Sequence, residues 1–206
     1  MNVTKYPQSC LVIEADNGAR LLVDAGFHVV GRRSLDELGT IDAALYTHQH
    51  PDHFDPAWVA ELREREVPVY ANADTAAQVE QGGITVVEGG EDFSAAEVPV
   101  RAFDLPHMPM VDGRPGPPNL GFLFDGRLLH PGDAKELDGI SVDALATPIA
   151  GPSLSARDAY VMLEGAGARI SIPIHYDNFL ADPQLFAKQC TIADVVVLED
   201  GESTSI

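Results

Sequence analysis

Three of the chain's seven histidines fall in one short stretch, His48-Gln49-His50-Pro51-Asp52-His53. Neutral imidazoles and carboxylates are ligands that zinc, manganese and iron accept. In a loop, alternate residues 48 and 50 point toward one centre, while Asp52 and His53 turn toward a second. Pro51 stiffens the backbone between them and lowers the entropic cost of holding four ligands together. Thr47, one position upstream, offers a hydroxyl that can support a ligand from behind.

Two ions need more than four ligands. Further along stand His107 in DLPHMP, Asp133 in LLHPGDA and His175 in IPIHYDN. The expected allocation puts His48, His50 and His107 on one ion and Asp52, His53 and His175 on the other, with the two oxygens of Asp133 spanning both. Gly132 lets backbone and ion approach closely there. Two divalent cations bring +4 and the two carboxylates −2; the remaining +2 lowers the pKa of a bridging water from about 15.7 toward about 7. A hydroxide held in that position is a nucleophile at physiological pH. Asp52 and Asp133 are also the candidates for moving a proton, so both are expected to be catalytic as well as ligating. His130, just upstream of Asp133, reads as a supporting or packing residue, and His28 as a loop or surface histidine.

Positioning these groups falls to a series of short elements. Residues 9–14 and 20–24 read as strands joined by the hairpin turn Asp16-Asn17-Gly18. An apolar run at 41–47 predicts a buried strand that ends at the histidine loop. Asp55-Pro56 then caps and opens a helix on which Glu61 can pair with Arg65. A strand at 68–70, a helix at 74–81 stopped by Gly82-Gly83 and a strand at 84–87 follow. Strands are expected at 98–103, at 120–124 turning at Asp125-Gly126 into 127–129, and at 142–145. A helix at 155–165, a strand at 169–174, a helix at 183–190 and a strand at 195–198 complete the chain. Strands mixed with helices imply an α/β layered sandwich, in one domain over residues 1–206. His48, His107, Asp133 and His175 each follow an apolar strand, so they converge on one rim of a sheet, where sites of layered α/β proteins usually lie.

Bulk composition narrows the partners. Asp and Glu total 32 against 13 Lys and Arg, a formal charge of −19. A field of that sign repels nucleic acid and anionic membranes, so neither is an expected partner. A hydrophobic fraction of 45% suits a globular core. Two cysteines far apart, Cys10 and Cys190, argue against a disulfide framework. Glu14 and Asp16 interrupt any secretory leader, and no stretch approaches the roughly 20 apolar residues that span a bilayer. A cytoplasmic protein is expected.

In order and context these motifs resemble the metallo-β-lactamase fold superfamily of binuclear metal hydrolases. Thr47-His48-Gln49-His50-Pro51-Asp52-His53 matches its HxHxDH motif, His107 the following single histidine, Asp133 the bridging aspartate and His175 the final histidine. Asp24, in LLVDAG, matches the early aspartate that supports the metal loop rather than binding metal. The match runs from about residue 11 to 176 and implies an αββα sandwich with the metals in a cleft at one sheet edge. PGDA around Asp133, ALATPIAGP and PIHYDNF resemble the compact hydrolases related to L-ascorbate-6-phosphate lactonase. Departures narrow the activity. Class B β-lactamases carry cysteine where Asp133 stands, and diiron flavoprotein relatives carry Glu where His50 stands. The extra domains or arms of the ribonucleases and glyoxalase-II-like thioesterases have little room in 206 residues.

The expectation is therefore a binuclear metal-dependent hydrolase. A metal-bridging hydroxide would attack a lactone, ester or phosphoester of a small, anionic or carbonyl-bearing metabolite. Zinc is the first candidate metal, with manganese or iron as alternatives. Arg114, in the Gly/Pro-rich stretch MPMVDGRPGPP, is a candidate for meeting an anionic group, and Tyr176 and Asn178 for hydrogen bonding to substrate. Two alternatives stay open: a phosphodiesterase acting on a nucleotide or lipid head group, and a metal-binding protein without turnover. Homo-oligomerisation is left open.

Overall fold

The computed structural model describes residues 1–80, 82–179 and 181–206. Its layering follows from the period-two alternation of strands. β1 (Asn2–Lys5), β2 (Leu11–Glu14) and β3 (Arg20–Val23) form an antiparallel meander. On it Leu11, Ile13, Leu21 and Val23 point into the space between two sheets, and Val12 and Leu22 point outward beneath helices. β4 (Ala43–Tyr46), β5 (Val69–Ala71) and β6 (Ile84–Val86) extend this sheet in parallel. Parallel steps need crossovers. These carry α1 (Phe27–Val30), a 3-10 turn (Leu35–Leu38), α2 (Pro56–Glu64) and α3 (Ala73–Ala76). Trp58, Val59 and Leu62 of α2 cover the outward face of Ala44 and Tyr46.

The second sheet repeats the plan. β7 (Asp92–Ala95), β8 (Val98–Asp104), β9 (Leu120–Phe124) and β10 (Leu128–His130) are an antiparallel meander. β11 (Ala144–Pro148), β12 (Ile170–Ile174) and β13 (Asp194–Val195) continue it in parallel, with α4 (Ala156–Ala166) and α5 (Pro183–Gln189) between them. Val100, Ala102, Phe122 and Phe124 meet the first sheet, while Leu129 and Leu145 lie under Ala159, Met162 and Leu163 of α4. β14 (Ser203–Ser205) returns to pair with β1. The result is the expected αββα sandwich.

Local signals account for the helix starts. Asp55 accepts from the Ala57 amide at 2.8 Å ahead of Pro56, and Ser155 and Asp158 form a reciprocal capping box. Elsewhere the boundaries differ from the sequence reading. β1, β7 and β14 (NVTK, DFSA and STS) are short and polar, and pairing partners rather than apolar runs define them. The helix expected at 74–81 is confined to Ala73–Ala76, where Asn72 accepts from the Thr75 amide at 2.8 Å, and Gln81 lies outside the described residues. The strand expected at 142–145 starts later and runs on to Pro148, because its register with Ile170–Ile174 extends that far. Of the strand expected at 195–198, only Val195 lies within a strand, Asp194–Val195, and the Val196 amide adds one more bond to the Ser171 carbonyl at 2.8 Å. Among the described residues no helix is long and apolar enough to cross a membrane.

Candidate metal centre

Four strand ends deliver seven side chains to one rim of the sandwich. The loop after β4 carries His48, His50, Asp52 and His53; His107 follows β8, Asp133 follows β10 and His175 follows β12. They fall into two groups, His48, His50, His107 and Asp133, and Asp52, His53 and His175, each with donor atoms within 4.8 Å of one another. His50 Nδ1 is 3.1 Å from both His48 Nε2 and His107 Nε2. Asp133 divides its oxygens between the groups. Oδ2 lies 3.3 Å from His107 Nε2 and 3.8 Å from His48 Nε2, while Oδ1 lies 3.1 Å from His53 Nε2 and 3.2 Å from His175 Nε2. Asp52 Oδ2 lies 3.5 Å from His175 Nε2 and 3.9 Å from His53 Nε2.

The far side of each ring sets which nitrogen faces inward. The Thr47 hydroxyl donates to Asp24 Oδ2 at 2.7 Å, so its oxygen accepts from His48 Nδ1 at 3.0 Å. His53 Nδ1 donates to the same Asp24 oxygen at 2.8 Å, His107 Nδ1 to the Met108 carbonyl at 2.5 Å and His175 Nδ1 to the Ala150 carbonyl at 2.7 Å. With Nδ1 tied to these outer partners, each of these four rings aims its Nε2 inward, the nitrogen a metal-ligating histidine would use. His50 presents Nδ1 instead.

The loop is held from below. Asp24, fully buried with φ 51°, also accepts from the Thr47 amide at 2.8 Å. Two residues on, a Cβ at Gly26 would stand 2.1 Å from the Asp52 carbonyl carbon, so only glycine lets the LLVDAG turn pass under the ligand loop. Gly132 (φ 60°) meets the same requirement beside Asp133: a Cβ there would sit 2.1 Å from Asn119 Oδ1 and 2.8 Å from the Thr47 side chain. His130 accepts from the Gly132 amide through Nδ1 at 3.2 Å and donates through Nε2 to the Ser9 carbonyl at 2.8 Å, which makes it a brace for the Gly132-Asp133 turn.

Burial and neighbours tune the groups differently. Burial holds His48 well below the ordinary histidine pKa and His50 below it, and the adjacent rings of His53 and His107 reinforce the effect. For His53 and His175 burial acts the same way but is outweighed. The Asp133 and Asp24 carboxylates raise His53 well above its ordinary value, and Asp133 with Asp52 raises His175 to about 9. Burial likewise works against ionised Asp133 and Asp52, yet the facing histidines keep both well below the usual carboxylate range.

Among the described residues, His53 Nε2, His175 Nε2 and Asp133 Oδ1 are buried, the two nitrogens facing the oxygen at 3.1 and 3.2 Å, with no further hydrogen-bond partner. Buried polar atoms are normally satisfied, so three such atoms converging on one point mark a place that a cation would fit. Two ligands about 2.0–2.1 Å from a tetrahedral zinc stand about 3.3 Å apart, close to the spacings among these nitrogens and oxygens. The donor set can hold a divalent metal.

Other sequence candidates are placed elsewhere. Arg114 pairs with Asp112 at 2.7 Å in its own loop, its side chain 80% exposed. The Tyr176 ring lies under Lys5 Nζ at 4.6 Å, its hydroxyl 3.5 Å from the Leu198 carbonyl. Asn178 meets the site's surroundings through its backbone amide, 3.4 Å from Gln8 Oε1. His28 is half-buried in α1, with its ring centroid 4.0 Å from that of Phe27. Three supporting residues have no sequence motif to reveal them. Asn119 accepts from the Asp133 amide at 3.2 Å while donating to the Leu105 and Pro131 carbonyls at 3.0 Å. Asn72 ties the Thr47 and Pro118 carbonyls together, at 3.2 and 2.9 Å. Gln8 donates to Asp52 Oδ2 at 2.9 Å.

Comparison with known proteins agrees with this architecture. A family profile described as a beta-lactamase superfamily domain matches residues 2–175. A protein of Mycobacterium tuberculosis is 35% identical over 182 residues, covering 85% of this chain and 84% of its own. A UPF0173 metal-dependent hydrolase of Staphylococcus aureus is 28% identical, covering 98% of this chain and 99% of its own. Among solved structures, the metallo hydrolase Igni18 of Ignicoccus hospitalis superposes with a TM-score of 0.80 at 20% identity, covering 98% of this chain and 97% of its own.

Proposed function

The chain belongs to the metallo-β-lactamase superfamily of metal-dependent hydrolases, and from that premise we propose that it holds two divalent ions, zinc first among them, and hydrolyses a lactone or ester of a small metabolite. One observation carries this reading: the two oxygens of Asp133 face two separate sets of ring nitrogens. One ion falls to His48, His50 and His107, the other to Asp52, His53 and His175. Bound there, the ions supply Lewis acidity for a developing oxyanion and a water acidified toward neutrality.

The chain's own groups do the rest. Four histidines are fixed as Nδ1–H tautomers by their outer partners, so the site is organised before substrate arrives. Asp52, partly exposed at the mouth, stays ionised and can take up a proton only transiently, because its basicity is low.

Two features favour a carbonyl substrate with a compact apolar part. A cavity of about 350 Å³ is lined by Ile149, Leu154, Phe179, Leu185 and Phe186 with the polar Ser155, Asp182 and Gln189, and it adjoins His175 only through Ala150 and Phe179. Ala150, whose carbonyl accepts from His175 Nδ1, is one of its lining residues, and the Phe179 ring stands 5.2 Å from the imidazole. That volume suits a small ligand. Arg114, the cation a phosphodiester reading relies on, is engaged by Asp112. The lactonase-like motifs point the same way.

The test is turnover on lactones, carboxylic esters, thioesters and bis-p-nitrophenyl phosphate, with ion content measured on the same preparation. Chelator-sensitive turnover of lactones or esters is expected. Cleavage of the phosphodiester alone would transfer the assignment to a phosphodiesterase. Tight ion uptake with no turnover would make this a metal-binding protein.

A further inference from the structure

Gln8 sits in the loop between β1 and β2, remote in sequence from every ligand, and is fully buried at φ 64°, a conformation that side chains other than glycine's adopt at a cost. Its amide orientation follows from its partners. Asp52 Oδ2, 2.9 Å from Nε2, can only accept, and the Asn178 amide, 3.4 Å from Oε1, can only donate. Its main chain is tied down as firmly. The Gln8 amide donates to Asp177 Oδ2 at 2.6 Å, and its carbonyl accepts from the His175 amide at 3.0 Å. Asp177 in turn pairs with the buried Lys5 ammonium at 3.4 Å.

The Asp52 oxygen that Gln8 holds is the one nearest His53 and His175. His175, whose backbone it also fixes, is itself left-handed at φ 60°. Among the described residues, no hydrogen bond of Gln8 reaches His48, His50 or His107. We infer that Gln8 is a positioning residue for one ion site only: it aims the Asp52 carboxylate and seats His175, so that affinity at the Asp52, His53 and His175 group depends on it. This rests on the two-ion reading above.

The experiment is calorimetric titration of Zn²⁺ into metal-stripped wild type, Gln8→Gly and Gln8→Met, with the two uptake steps assigned by His107→Ala and His175→Ala. Glycine tolerates the left-handed backbone and removes only the side-chain carboxamide that holds Asp52, leaving the main-chain bonds to Asp177 and His175, while methionine keeps the volume without a donor. Both variants are expected to weaken the step assigned to the His175 group by about 10–100-fold, as loss of a ligand's hydrogen-bond partner does. The other step is expected to stay unchanged. Unchanged affinity at the His175 step, or an equal fall in both steps, overturns the inference. Wild type that takes up a single equivalent overturns the two-ion reading, and this one with it.

Discussion

The two candidate ligand groups share Asp133, yet His48 and His50 in one and His53 and His175 in the other hold their protons in opposite senses. In one group burial dominates at His48 and His50 and keeps both neutral. In the group of Asp52, His53 and His175, carboxylates surround the rings: Asp24 behind His53, Asp133 and Asp52 in front. There the same imidazole chemistry is pushed the other way, to about 9 at His175. Placement of carboxylates, not the identity of the rings, separates the two. At neutral pH and without an ion, His48 and His50 carry one proton each, whereas His53 and His175 hold a second proton that an incoming cation would displace.

The largest effect should come from removing what the groups share. Asp133→Ala is expected to lower hydrolysis by more than about 100-fold, beyond the range for an outer partner, and to reduce ion content at both positions by elemental analysis. A variant that retains both ions would break the division of the Asp133 oxygens between groups. Next, His107→Ala and His175→Ala should each lose about one ion, from different groups, with roughly 100-fold lower rates. If either variant lost both ions, the groups would be a single cooperative site.

A pH series on metal-stripped protein sharpens the contrast. His175 is raised on folding, so its contribution to stability is complete below the unfolded value of about 6.5 and is lost as pH climbs through about 9. His48 and His50 are lowered, so theirs is complete above about pH 6.5 and lost on acidification. Melting temperature should therefore fall on both sides of neutrality, and His175→Ala should make only the alkaline limb shallower, the rest of it being carried by His53. Calorimetry in buffers of different ionisation enthalpy near pH 7 should show proton release with ion uptake at the His53 and His175 group and little at the other. The smallest effect is a control: Ser155→Ala removes the α4 cap and should cost about 1 kcal/mol in chemical denaturation without altering ion affinity.

Much of the site was legible in the linear chain because ligand chemistry is carried by rare residue types. Histidines at 48, 50 and 53, a Gly-Asp pair and two histidines closing apolar strands leave few other readings. The layered fold was legible for a similar reason, since buried strands such as Ala43–Tyr46 and Ile170–Ile174 announce themselves by apolar runs. Polar edge strands such as Ser203–Ser205 do not, because their stability comes from a partner far along the chain.

By itself, then, the sequence determined the candidate ligand types, their order and the alternation that sandwiches two sheets between helices. Tertiary structure alone decided that Arg114 turns to Asp112, that Gln8 and Asn119 brace the centre, and that identical imidazoles differ in proton affinity. The physical reason is range. Side-chain identity and local periodicity are properties of neighbours in the chain, whereas hydrogen-bond partners and electrostatic fields depend on groups brought close only by folding.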